Sequence, residues 1–311
     1  MIKKRLPIGI DNFKEIVEKD YYYIDKTLLI KELLDKGSKV TLLPRPRRFG
    51  KTLNLSMLNY FFSTTEQTGQ LFANTAIAQH PDCVAHQGQY PVIFITFKDI
   101  KVSNWPDAYQ KIQGVIISEY DRLQKTLMDA MTTTEMAQVD QILARTAIKD
   151  VYERSLQLLS TLLRRHYQKR VIILLDEYDA PIHAAFTHGY YKEMVEFIRN
   201  LFSAALKDND ALEFSVMTGI LRTAKEGIFS GLNNLKVYTL LQSDFADKFG
   251  FTQQEVDTIL ATHDMGQKRD EIKQWYNGYQ FSTSYRPYPL SRLEVTSYTS
   301  LNVTSIPSTN R

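Results

Sequence analysis

One cysteine, Cys83, stands in 311 residues. A single thiol excludes an intrachain disulfide framework and any Cys-rich metal site. It fits a reducing, cytoplasmic setting. Charge of one sign is also lacking: 38 Lys and Arg face 35 Asp and Glu, a net charge of +3. That balance excludes a strongly basic nucleic-acid coat and an acidic tail, but not a local basic groove. No apolar run approaches the roughly 18–20 residues needed to span a bilayer, so no membrane association is expected. The first nine residues hold two Lys and an Arg with no long apolar stretch behind them, which is not a signal peptide. There is no internal repeat. The six His do not fall at metal-ligand spacing: neither His166 nor His183 has a second His or Cys at ligand spacing, and no zinc is expected.

What is present is the apolar share of an ordinary globular chain, 43%, on a length that suits one or two domains. Five short runs rich in β-branched residues stand out: Lys39–Leu43, Pro91–Phe97, Val171–Leu175, Leu212–Met217 and Leu235–Leu240. Runs apolar throughout predict strands covered on both faces. Met194, Val195, Ile198, Leu201, Phe202 and Ala205 recur at helical spacing in 190–207, and Val151, Leu156, Leu159, Leu162 and Leu163 do so in 150–166, with Asp150 as the expected N-cap. The stretch 104–168 reads as an inserted helical segment between two strands. Strands alternating with helices predict an α/β sandwich on a parallel sheet of about five strands.

The segment Lys39–Leu53 combines a strand, a loop, Gly50-Lys51-Thr52 and an apolar helical pattern. That is the context of a phosphate loop. Gly50 lets backbone approach a phosphate. N–H groups at the helix start attract the anion. Lys51 is placed to bridge the β- and γ-phosphates and the Thr52 hydroxyl to ligate magnesium. Arg47, Arg48, Phe49 and Leu53 complete the expected cradle. The usual G-x-x-x-x-G-K-[ST] pattern puts Gly five positions before Gly50; here that position is Arg45. Taken alone, Gly-Lys-Thr also suits an ordinary helix start among solvated arginines.

Val171–Asp179 runs five apolar residues into Asp176-Glu177. An Asp at such a strand end holds the magnesium shell of phosphate-loop ATPases, and a Glu just after it activates water. The bland alternative is a buried strand ending in the polar turn Asp179-Ala180-Pro181. Both motifs sit at carboxyl ends of expected strands, where ligands of open α/β sheets bind. Pro91–Phe97 lies between them in the chain, as in the ATPase branch with an extra strand separating the two. Leu212–Gly219 ends in Thr218, a candidate γ-phosphate sensor, and Arg222 is a candidate in-cis sensor or intersubunit finger. The alternative there is a strand end followed by a surface arginine.

These residues resemble a known family: the bacterial AAA-ATPase-like proteins whose full-length members usually carry a PD-(D/E)XK-type nuclease after the ATPase. The carriers are Leu6–Ile10, Tyr21–Thr27, Arg45–Thr52, Leu175–Asp179, Thr218–Ile220 and Trp275–Tyr279, in that order. The Pro-Arg-Arg-Phe-Gly-Lys form is typical of that family, so Arg45 resembles a family trait. The resemblance implies a P-loop NTPase sandwich over 1–242, a helical lid over 243–281, and binding of ATP with magnesium. Hydrolysis would drive a conformational switch, coupled to a nuclease effector or, through a partner, to nucleic acid, with homo-oligomerisation open. It also implies that the Tyr23–Thr27 segment helps close over the base, although an aromatic packing segment is the plainer reading. Trp275–Tyr279 is expected to close the lid rather than touch ligand.

Residues 282–311 are dense in Ser, Thr, Tyr and Pro and read as a loose tail. No Asp…Glu-x-Lys pattern follows a strand there, so nuclease activity is not carried over; a truncated or frame-shifted product is expected. The alternative function is a non-hydrolysing, nucleotide-dependent scaffold, and a small-molecule kinase ranks behind both. No guanine-type Asn/Thr-Lys-x-Asp signature is evident, which favours ATP. Arg164, Arg165, Lys169 and Arg170 are expected to be a solvated cluster.

Overall fold

The computed structural model describes residues 4–65, 68–207, 209–220, 228–229 and 232–271. Five parallel strands form one sheet: β1 (Val40–Pro44), β2 (Val92–Thr96), β3 (Val171–Asp176), β4 (Leu212–Gly219) and β5 (Leu235–Val237), in the order β2-β3-β4-β1-β5. The helices are α1 (Phe13–Glu18), α2 (Leu28–Lys36), α3 (Lys51–Phe62), α4 (Pro81–Val84), α5 (Trp105–Leu127), α6 (Thr133–Leu143), α7 (Lys149–Glu153), α8 (Ser155–Tyr167), α9 (Ala180–His188), α10 (Tyr191–Leu206) and α11 (Gln253–Thr262).

The uninterrupted apolar runs are explained by alternation across a sheet covered on both sides. Along β3, Val171, Ile173 and Leu175 face the core built with α5, α8 and α10. Ile172 and Leu174 face the core built with α1, α2 and α3. Each such side chain contributes about 1.5–3 kcal/mol when fully buried. The 104–168 segment is helical and links β2 to β3, and its helices supply much of one layer. Edge strand β2 is shielded by α5: Glu119 accepts from the Phe94 N–H (2.9 Å) and Arg122 donates to the Val92 carbonyl (2.9 Å). Covering an edge in this way blocks pairing with another chain.

Two local expectations are corrected. Asp150 is not an N-cap; Ile148 occupies that position of α7, and the chain breaks at Arg154 before α8 begins. The strand that separates β1 from β3 is β4, not Pro91–Phe97, which lies on the far side of β3. Parallel crossovers let chain order and sheet order diverge. No helix among the described residues is long and apolar enough to cross a membrane. Within the expected lid, Phe251 and the α11 residues Val256, Ile259 and Leu260 pack with Tyr22 and Ile24. Trp275–Tyr279 and the tail 282–311 lie outside the described residues.

Candidate functional site

The carboxyl ends of β1, β3 and β4 converge on Asp176, which is fully buried. Its Oδ2 accepts from Thr52 Oγ1 (2.7 Å) and, at longer range, from Thr96 Oγ1 (3.4 Å). Its Oδ1 accepts from Thr218 Oγ1 (2.6 Å). Hydroxyls from α3, β2 and β4 thus hold one carboxylate, as a buried charge requires. Thr218 is itself buried, and its hydroxyl is engaged with Asp176 rather than turned into the neighbouring cleft. Sequence reasoning missed Thr96. Its signal was a polar residue near the end of an apolar run, and it pairs in register with Asp176.

Between β1 and α3 the loop takes left-handed backbone at Arg48 (φ 70°) and Gly50 (φ 75°). Gly50 adopts this readily, whereas Arg48 is strained there. Arg47 and Arg48 are exposed, Phe49 is buried, and Thr52 and Leu53 are half-buried. Lys51 opens α3, is buried, and donates to the Pro46 carbonyl across the loop (3.0 Å). Burial lowers its pKa, while the charges of Glu177, Asp176 and Asp179 oppose that shift. Arg45, which stands where the usual loop pattern has glycine, is fully buried. Its guanidinium donates to the carbonyls of Pro44 (3.0 Å), Tyr238 (2.7 Å) and Phe245 (3.3 Å) and lies over the Phe249 ring. Burial brings its pKa down to about 10, so it stays charged at neutral pH.

Glu177 follows Asp176 in left-handed backbone (φ 48°), a strained state for a non-glycine residue. Its carboxyl faces the cleft, 4.0 Å from Lys101 Nζ. Burial raises its pKa and the Asp176 charge adds to this; Lys51 and Lys101 oppose it. The following residues are fastened to β4: Tyr178 N–H donates to the Thr218 carbonyl (3.1 Å), and Asp179 accepts from Ile220 N–H (2.8 Å). Arg222 lies outside the described residues.

A cavity of about 340 Å³ opens beside Glu177 and Arg48–Asn54. Its other walls are largely apolar: Leu6, Pro7, Ile10, Tyr22 and Ile24 from the N-terminal segment, and Phe251, Ile259, Leu260 and Met265 from the α11 region. Tyr22 meets His263 edge-to-face at 5.6 Å. The Tyr21–Thr27 segment therefore reaches the same cleft as the loop, in addition to packing. One end of the cleft holds Lys51, Glu177 and the start of α3, whose dipole favours an anion, and the other is suited to a flat apolar group.

The Predicted AAA-ATPase family model matches residues 7–229. An uncharacterized protein encoded in the vnfD 5′ region of Azotobacter chroococcum mcd 1 is 32% identical over 298 residues, covering 93% of this chain. The chain spans about half (52%) of that relative's length. No solved structure matches. With a match over most of its length, and with the parallel sheet, glycine-lysine-threonine loop and acidic strand end in one place, the chain belongs to the AAA-ATPase-like family of predicted AAA-ATPases.

Proposed function

We propose that this chain binds ATP with magnesium and hydrolyses it, with turnover moving the lid. The observation that carries the reading is the 2.7 Å hydrogen bond from Thr52 to Asp176, two residues 124 positions apart. It joins the helix that begins the phosphate loop's far side to the acidic strand end. The donor set fits magnesium, which takes hard oxygen ligands and usually binds through one or two protein groups plus phosphate oxygens and water. Among the described residues no cluster of three or more His, Cys, Asp or Glu stands ready to hold a metal by protein alone. Thr52 and Asp176 would hold the ion, which when bound offsets phosphate charge.

The remaining roles belong to the chain's own groups. Lys51 exchanges its loop carbonyl for phosphate oxygens, and the N–H groups of Arg47–Leu53 cradle the anion. Glu177 takes a proton from the attacking water. Thr218 senses the γ-phosphate through Asp176, which it positions. Arg222 supplies a cation to the same phosphate, in cis or to a neighbouring subunit. The apolar walls take the base, and the output passes to a nuclease-type effector.

Titration calorimetry with ATP and magnesium, on wild type and Lys51→Ala, tests this. Binding is expected in the first and lost in the second. Equal binding by both, or none by folded wild type, refutes the site. Glu177→Gln should bind ATP yet lose turnover; binding without turnover in wild type as well would replace the enzyme by a nucleotide-dependent scaffold.

A further inference from the structure

The stretch Tyr238–Phe251 leads from β5 into α11 and so sets where the lid wall of the cleft stands. Polar groups from several sides fasten it. Lys26 donates to the Asp247 carbonyl (2.8 Å) and Asn54 to the Lys248 carbonyl (2.8 Å). Glu32 accepts from Phe245 N–H (2.6 Å), and the Phe49 carbonyl accepts from Gly250 N–H (3.2 Å). Arg45 reaches the same strap from within the loop, bridging the Tyr238 and Phe245 carbonyls and resting on Phe249.

Arg45 has a second attachment. Its backbone N–H donates to the Gly219 carbonyl (2.9 Å), one residue from Thr218, whose hydroxyl holds Asp176. One residue thus touches the loop, the tip of β4 and the strap. A planar fork that donates to two carbonyls seven residues apart holds both in one fixed geometry, which a point charge on a flexible stem does not. Buried contacts of this kind are bistable rather than continuously deformable, as a switch requires.

We propose that Arg45 is a positioning residue that couples occupancy of the phosphate loop to closure of the lid. An anion settling among the loop N–H groups shifts Arg45, and Arg45 carries the strap and α11 over the apolar end of the cleft. The inference rests on the nucleotide reading above.

Hydrogen exchange on the full chain, with and without ATP and magnesium, tests it in wild type, Arg45→Lys and Arg45→Gly. In wild type, ATP should slow exchange both in 47–53 and in Gln253–Thr262. In the variants the loop should still be slowed, while slowing of α11 falls at least about tenfold, the effect of losing charge-assisted hydrogen bonds. Equal slowing of α11 in wild type and variants, with the loop slowed in all, overturns the coupling and leaves nucleotide binding standing. No slowing anywhere in wild type overturns the nucleotide reading, and the coupling with it. Should both Arg45 variants fail to fold, Phe249→Leu, which removes the ring beneath the guanidinium, is read in the same way. Undiminished slowing of α11 there also overturns the proposal.

Discussion

Thr218→Val separates a strand end that merely terminates from one that holds the site together. The swap is nearly isosteric and removes one hydroxyl. That hydroxyl stands 2.6 Å from Asp176 Oδ1, and both residues are buried. The other hydroxyls reach Oδ2, Thr52 at 2.7 Å and Thr96 at 3.4 Å. Among the described residues, then, Thr218 is the donor to Oδ1. A hydrogen bond to a charged group contributes about 1.5–3 kcal/mol, and a buried oxygen stripped of its donor costs the upper part of that range. Urea unfolding followed by circular dichroism should show a loss of about 2–3 kcal/mol. Thr96→Val, acting on a longer contact, should lose about 1 kcal/mol or less. Thr218→Ser keeps the hydroxyl and loses only a methyl, so it too should lose about 1 kcal/mol. The affinity for ATP with magnesium should fall about tenfold in Thr218→Val if 1.4 kcal/mol of this ordering is needed for binding. A Thr218→Val protein that unfolds at the wild-type urea concentration would refute the reasoning, because Asp176 would then not depend on its closest donor.

Gly219→Ala should destabilise by about 1–3 kcal/mol, since a Cβ there would meet Asp179 Oδ1 at 2.6 Å and the buried Tyr178 ring at 2.7 Å; Gly69→Ala, with nothing within 4 Å, is the matched neutral control in the same unfolding assay. Glu135 is held at a pKa of about 2 by Arg165, whose guanidinium donates to it at 2.8 and 3.1 Å. A depressed carboxyl pKa gives stability that is present above the ordinary value of 4.5 and lost as pH falls towards 2. Glu135→Gln should therefore cost about 1 kcal/mol at pH 7, discounted because Arg165 is half exposed, and the gap from wild type should close across that acid window. For Glu177 the sign is reversed: its raised pKa means that folding favours the protonated form, so Glu177→Gln should be more stable than wild type at neutral pH. Its acid limb in kcat/KM for ATP hydrolysis should lie above the ordinary glutamate value of 4.5, and a limb at or below 4.5 would exclude it as the base.

The elements that could be read from sequence are those whose physics is local. Val171–Leu175 announces a doubly covered strand because each residue needs burial on one face or the other. Gly50-Lys51-Thr52 announces a helix start through backbone conformation and charge. Sheet order was not legible, because nothing in Pro91–Phe97 or Leu212–Gly219 says which will lie beside β1; that depends on how crossovers pack. Thr96 stayed hidden because its importance comes from facing Asp176 across a register. The cleft's apolar end was legible only in part, since Tyr22 and Ile24 meet Phe251 and Ile259 across more than two hundred residues of chain. The burial of Arg45 was not legible, because arginine is ordinarily exposed and its acceptors at Tyr238 and Phe245 lie 193 and 200 positions away.

The departure at Arg45 has a conformational explanation. A loop glycine is required where φ is positive or where backbone must approach another group closely. Here positive φ falls at Arg48 and Gly50, and Arg45 is not among the left-handed residues. Pro46 restricts Arg45 to extended backbone, and Pro44 does the same to Leu43. The chain therefore leaves β1 as a continued strand: Pro44, without an N–H, sits opposite Gly219, and the N–H of Arg45 supplies the bond to the Gly219 carbonyl. The Arg45 side chain runs to the Tyr238 and Phe245 carbonyls and does not line the cleft beside the loop. Arginine at this position does not compete with phosphate for space. Its side chain is free to run beneath the loop into the strap, and glycine, the usual residue at this spacing, has no side chain to make that connection.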